Sequence, residues 1–152
     1  MKLTRFTDYS LRVLIHLGVH PDRRCSIPEI AAAYGISEHH LVKVVQTLGQ
    51  LGYVRTVRGR GGGIQLARPP GDLRIGDVVR STEGCQSLVE CKDCIIAPSC
   101  RLGGIFREAM MAFFRVLDGY TLLDLLGPDA GMRRLLAPRE SSPAGPVEDF
   151  GP

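Results

Sequence analysis

Between Ser26 and Gly52 the chain spells a helix, a glycine turn and a second, freshly capped helix, an order that few folds accommodate. Pro28 suits the first turn of a helix, where its missing N–H costs nothing, and Glu29-Ile30-Ala31-Ala32-Ala33-Tyr34 continues it. Gly35 stops that helix, because glycine takes the left-handed cap conformation without a side-chain clash. Ser37 can cap the next one, SEHHLVKVVQTLGQLG, whose Leu41, Val44, Val45, Leu48 and Leu51 recur at helical spacing until Gly52 closes it. Such a sequence is the signature of a helix-turn-helix.

The flanking segments extend the pattern. Residues 4–19 place Phe6, Leu11, Leu14, Ile15 and Val19 on one helical face, with Thr4 or Thr7 as N-cap and Pro21 as terminator. After Gly52 come two short β-branched runs, Tyr53–Val57 and Ile64–Leu66, joined by RGRGGG, which predict a hairpin with a basic, glycine-rich tip. The expected fold is mostly α with a small β-hairpin: a winged helix-turn-helix plus a long dimerisation helix and a cysteine-rich cluster loop. Pro69-Pro70-Gly71 marks a turn, and Ile75, Val78 and Val79 suggest a short helix ending near Gly84. A loop follows, then an apolar helix over Leu102–Leu117 with Leu102, Ile105, Phe106, Ala109, Met110, Phe113 and Leu117 on one side. This organisation divides the chain into a DNA-binding domain over 1–80, a cysteine-rich loop over 81–101, a dimerisation helix region over 102–126, and a C-terminal segment over 127–152. From about residue 137 the Pro/Gly/Ser-rich tail carries no periodicity and reads as disordered.

Charge agrees with a polyanion partner. Residues 1–80 hold twelve Lys/Arg against six Asp/Glu, whereas residues 81–152 hold seven against ten. In a helix-turn-helix the N-terminal residues of the second helix meet base edges, which here are Ser37, Glu38, His39, His40 and Lys43. Glu38 can accept from cytosine, the histidines can donate to bases or phosphates, and Lys43 suits a phosphate. At the tip of the hairpin Arg58 and Arg60, with Arg55 at its base, flank Gly61 and Gly62, a slender cationic backbone able to enter a minor groove. The apolar helix, with more apolar surface than one small domain needs, predicts a homodimer, and a two-fold dimer fits an inverted-repeat operator in double-stranded DNA.

The chemistry lies in Cys91-x2-Cys94-x5-Cys100. Three soft ligands within ten residues suit an iron–sulfur cluster that takes one more ligand from elsewhere, and zinc is the chemical rival. The opening MKLTRFTDYS carries no signal-peptide pattern and no run reaches the roughly 20 apolar residues of a membrane span, so the expected location is the cytoplasm, with no membrane partner. Reduced thiols there are metal ligands or redox groups rather than structural disulfides. A thiol oxidoreductase would open a helix of a βαβ unit with its Cys-x-x-Cys, and Cys91-x-x-Cys94 has no such context. No hydrolytic constellation stands out, so an enzyme is not expected. Cys25 reads as a small buried residue.

At this point FTDYSLRVLIHL, GISEHHLVKVVQTLGQLGYV and VRGRGGGIQL together resemble the DNA-binding half of the iron–sulfur winged-helix regulators, the family that includes IscR. RIGDVVRSTEG, SLVEC, APSCRL and DGYTLLDLL resemble its NsrR-type, nitric-oxide-sensing branch. The resemblance covers the chain to about residue 126. It implies a transcriptional repressor whose cluster, four-iron four-sulfur in preference to two-iron two-sulfur, is nitrosylated or lost in nitric oxide, releasing a palindromic operator. The alternative is a zinc-stabilised regulator, or one that senses redox or iron–sulfur status. Where IscR-like relatives carry a histidine three residues after the last cysteine, this chain has Gly103. The NsrR-type resemblance instead implies Asp8 of the other subunit as fourth ligand, with Arg12 one helical turn on to orient it; Cys85 is the alternative. The interval between the first two cysteines is also shorter than is usual in the family.

Overall fold

The computed structural model describes residues 2–84, 88–127 and 131–137. Helix α1 (Arg5–Val19) starts at Thr4, whose hydroxyl accepts the Thr7 N–H, so the first of the two expected caps is the one used. Helix α2 (Ile27–Tyr34) starts one residue earlier than Pro28 suggests. Ser26 and Glu29 form a reciprocal capping box there, which outweighs the proline as a start signal. Gly35 ends α2 at φ 64°, and Ser37 caps α3 (Glu38–Gln50) by accepting the His40 N–H. Strands β1 (Val54–Val57) and β2 (Gly63–Leu66) pair antiparallel, Val54 opposite Leu66. A 3₁₀ turn over Pro70–Asp72 leads into α4 (Ile75–Glu83), and beyond the cysteine loop lie α5 (Leu102–Asp118), α6 (Leu122–Leu126) and α7 (Gly131–Leu135).

The core gathers Val13, Leu14 and Leu17 of α1, Ile30 of α2, Leu41, Val44, Val45 and Leu48 of α3, Ile64 of the hairpin, and Val78 and Val79 of α4. Burying side chains of this size stabilises by about 1.5–3 kcal/mol each, and their spacing on α3 is the apolar stripe visible in the sequence. Leu51 departs from that stripe: it lies past the last turn of α3 and is exposed, because the chain turns away there toward β1. The fold is a winged helix-turn-helix.

The two helices beyond α5 were not legible as periodic segments, since five residues make little more than one turn. Thr121 and Asp124 form a capping box at α6, and Leu122 is fully buried in the same core. Leu126 packs so closely on Gly18 of α1 that a Cβ there would come within 2.7 Å of its Cδ1. His20 Nε2 lies 3.3 Å from the carbonyl oxygen of Leu136. The end of the described chain therefore returns to the DNA-binding half. The expected disordered tail, from 138 onward, lies outside the described residues.

A clamp fixes α5 to α4. Arg80 gives two hydrogen bonds of 2.6 Å to the Asp118 carboxylate, stacks its guanidinium 4.5 Å above the Phe114 ring, and is joined by Arg74, whose Nη1 donates to the Asp118 carbonyl at 2.8 Å. Gly76 makes room for this pair, since a Cβ at that position would overlap Asp118 Oδ1. Gly76→Ala is expected to displace Asp118 and lower Tm by about 3–8 °C, read by thermal unfolding; unchanged Tm would show the clamp to be incidental. No helix among the described residues is long and apolar enough to cross a membrane.

Candidate nucleic-acid interface and cysteine loop

Ser37, Glu38, His39, His40 and Lys43 all lie on the exposed side of α3, opposite the buried stripe. His40 is held in place: its Nδ1 lies 3.0 Å from the Ser37 hydroxyl. Val42 shares this surface and is 48% exposed. Val42 belongs neither to the apolar stripe nor to the polar set expected from the sequence, yet an exposed aliphatic side chain there can meet a thymine methyl.

The hairpin tip is tightly built. Gly62 N–H donates to the Gly59 carbonyl at 2.8 Å, and a Cβ on Gly62 would overlap the Val57 carbonyl oxygen. Arg55, Arg58 and Arg60 are exposed beside it. Its root is fastened from below, where Cys25 and Ile64 exchange backbone hydrogen bonds of 2.9 and 2.8 Å. Arg24 Nη1 donates to the Gly61 carbonyl at 2.9 Å and its Nε to Gln65 Oε1 at 3.3 Å. Arg24 was invisible as a functional residue in the sequence, because nothing local links it to a turn nearly forty residues on. Replacing both Arg58 and Arg60 with alanine is expected to weaken operator binding and to reduce the steepness of its salt dependence by about two in log–log slope for each subunit bound, one per lost phosphate contact. A retained slope would remove these arginines from the interface.

In the cysteine loop Cys91 and Cys94 are exposed and Cys100 half-buried. Successive turns organise it: Cys94 N–H donates to the Cys91 carbonyl at 3.4 Å, Ala97 to Cys94 at 3.0 Å, and Cys100 to Ala97 at 3.3 Å. Helix α5 has no side-chain cap from Arg101; instead the Leu102 N–H donates to Cys100 Sγ at 3.4 Å. A Cβ on Gly103 would stand 3.7 Å from Cys91 Sγ, in ordinary contact. Two exposed thiols and a half-buried one, the latter hydrogen-bonded by a helix N-terminus, are soft donors of the type an iron–sulfur cluster takes, although they are not among the side chains that the described residues gather within 4.8 Å. Cys85, the alternative fourth ligand, lies outside the described residues.

Asp8 sits elsewhere, in the first turn of α1. Arg12 Nε donates to its Oδ2 at 3.0 Å, the pairing expected from their spacing, and both side chains are nearly half exposed. The pair borders a concavity of about 400 Å³ lined by Lys2, Leu3, Arg5, Tyr9, Tyr34, Gly35 and Ile36, with no loop cysteine among its walls. Arg12 also lies 5.7 Å above the Tyr34 ring, and burial pushes the Tyr34 hydroxyl up to about 12. The start of α1 is tied to the point where the loop departs, because Thr4 N–H and Oγ1 both donate to Glu83 Oε1, at 2.6 and 3.0 Å, and Thr7 bonds Thr82 at 2.9 Å.

Comparison with known proteins agrees with the fold. The Rrf2 family, described as iron-dependent transcriptional regulators, matches residues 3–128. The chain is 52% identical over 145 residues to the HTH-type transcriptional regulator NsrR of Geobacillus kaustophilus, covering 91% of this chain and 99% of that protein. With the protein of the same name from Bacillus subtilis it shares 50% over 146 residues, 92% of this chain and all of the other. Among solved structures, CymR, the global cysteine regulator of B. subtilis, superposes with a TM-score of 0.66 at 33% identity, covering 83% of this chain and 96% of that one. T. potens IscR superposes at 0.69 with 28% identity, covering 83% and 86%. The chain belongs to the Rrf2 family of iron-dependent transcriptional regulators.

Proposed function

We propose that this transcriptional regulator is a repressor that binds an inverted-repeat operator as a homodimer and releases it in response to nitric oxide. Cys91, Cys94 and Cys100 would hold an iron–sulfur cluster, preferentially four-iron four-sulfur, and Asp8 of the second subunit would complete it. When bound, the cluster supplies iron that combines with nitric oxide. What the chain itself contributes is position. The observation that carries the reading is an arginine-oriented carboxylate on α1, nearly half exposed, bordering a concavity with no loop cysteine among its walls, in a chain whose loop offers two exposed thiols and one half-buried.

A second copy supplies what one chain lacks. Helix α5 packs Phe113, Phe114 and Leu117 partly against the core of its own chain but fully buries none of its residues, and Ile105, Met111 and Val116 are each more than half exposed. Pairing two such helices would remove that apolar surface from water. The loop of one subunit would then lie against the α1 of the other. Because Thr4 and Thr7 tie α1 to the end of α4, and the shared core ties α1 to α3, a carboxylate bound across the interface would set the separation of the two recognition helices. A two-fold operator requires that separation to be about 34–36 Å, one DNA turn, so a small change at Asp8 is enlarged at the groove.

Anaerobic purification with an absorption spectrum and iron, sulfide and zinc analysis tests the cofactor. Brown protein with matched iron and sulfide is the expected result, and the stoichiometry chooses the cluster type. Colourless protein with stoichiometric zinc would contradict it.

A further inference from the structure

We propose that His16, Cys25 and Glu29 form a metal site, separate from the cysteine loop, that takes a zinc-class divalent cation inside the DNA-binding half. The residues come from three places: the last turn of α1, the extended segment before α2, and the first turn of α2. One ligand atom from each lies within 4.8 Å of the other two. A zinc ion held at its usual distances needs those atoms about 3.4–3.6 Å apart; His16 Nε2 and Glu29 Oε1 already stand at 3.4 Å.

The surroundings are those of a ligand site rather than a surface cluster. His16 is fully buried and Cys25 nearly so, while Glu29 reaches the surface and gives a way in. His16 Nε2 lies 3.4 Å from Glu29 Oε1, and its Nδ1 is the one buried side-chain nitrogen or oxygen among the described residues with no hydrogen-bond partner. Nε2 is thus the nitrogen that an ion beside Glu29 would take, and Nδ1 lies on the other side of the ring. Sulfur, nitrogen and carboxylate oxygen together are a zinc-type donor set that leaves a fourth position for water. As the sulfur–metal bond forms, the Cys25 thiol releases its proton to solvent.

A cation already sits at the mouth. The Arg23 guanidinium spans both Glu29 oxygens, one contact being 3.0 Å from Nη1 to Oε2 and the other pairing Nη2 with Oε1. Arg23 is 39% exposed, so it and the metal would compete for one carboxylate at the surface. The site also has a mechanical consequence. The backbone of Cys25 pairs with Ile64 at the root of the wing, so a bound ion would lock α1, α2 and the wing to one another.

The test uses the full-length chain with Cys85, Cys91, Cys94 and Cys100 changed to serine, which leaves Cys25 as the only thiol. Cobalt(II) is titrated as the spectroscopic probe and then chased with zinc. A thiolate-to-cobalt absorption saturating at one ion per chain, bleached by zinc and absent from the added Cys25→Ser variant, is expected. Arg23→Gln, a change at the surface, should tighten the apparent cobalt Kd roughly fivefold, the most that one exposed ion pair withholds. Absence of the band from protein that keeps the circular dichroism of the unsubstituted chain overturns the proposal. So does an Arg23→Gln variant with unchanged Kd.

Discussion

Cys94→Ser protein, purified without oxygen, is expected to be colourless and to bind the operator about 10³-fold more weakly than the unsubstituted protein, near the level of non-specific DNA. Cys94 is exposed in the middle of the loop and its N–H bonds back to Cys91, so serine keeps the backbone turn while removing a soft ligand. Neither Cys91, Cys94 nor Cys100 belongs to the hydrophobic core, and the fold should survive. Circular dichroism and Tm should therefore match the parent within a few degrees. Iron and sulfide analysis with fluorescence anisotropy on operator DNA makes the measurement. Full operator affinity in iron-free Cys94→Ser protein would separate the loop from DNA binding.

The second large effect concerns Asp8. In Asp8→Ala the carboxylate and its Arg12 partner are lost from an exposed surface, so stability should change by no more than about 1 kcal/mol. Cluster retention and operator affinity are nevertheless expected to fall at least about tenfold, because the link to the other subunit is cut. A complementary change distinguishes a ligand from a merely acidic surface. Gly103 lies next to Cys91 Sγ and occupies the place where IscR-like relatives carry histidine. The double variant Asp8→Ala, Gly103→His is expected to regain iron and sulfide through a ligand in its own chain. It should not regain nitric-oxide-controlled DNA binding, because the bridge between subunits stays broken. Asp8→Ala protein that keeps both its cluster and its response would exclude Asp8 from the site.

Much of this was legible in the sequence because the governing signals are local. Gly35 and Ser37 mark the turn of the helix-turn-helix within three residues, and the stripe on α3 has the period of the helix it builds. The glycines of the RGRGGG tip likewise announce a tight turn. What the sequence did not disclose depends on distant partners. Arg24 under the wing, the Arg80–Asp118 clamp over Gly76, and the union of Glu83 with Thr4 each join residues nearly forty or more positions apart. Helix α6 escaped for another reason: five residues carry too little periodicity, and only its Thr121–Asp124 capping box could have revealed it. The cysteine motif was plain, whereas the fourth ligand proposed for it would come from a second chain, a relation that no spacing within one chain encodes. His16 drew no notice at all, since a single histidine in an apolar helix gives no local sign of an unpaired nitrogen.

The most direct test of the central claim is an anaerobic titration of cluster-loaded protein with nitric oxide, following the visible spectrum and operator anisotropy in the same cuvette. The account predicts that the cluster absorption and the bound fraction of DNA fall together over the same range of nitric oxide added per cluster. Operator binding that persists after the cluster spectrum has been fully converted would contradict it.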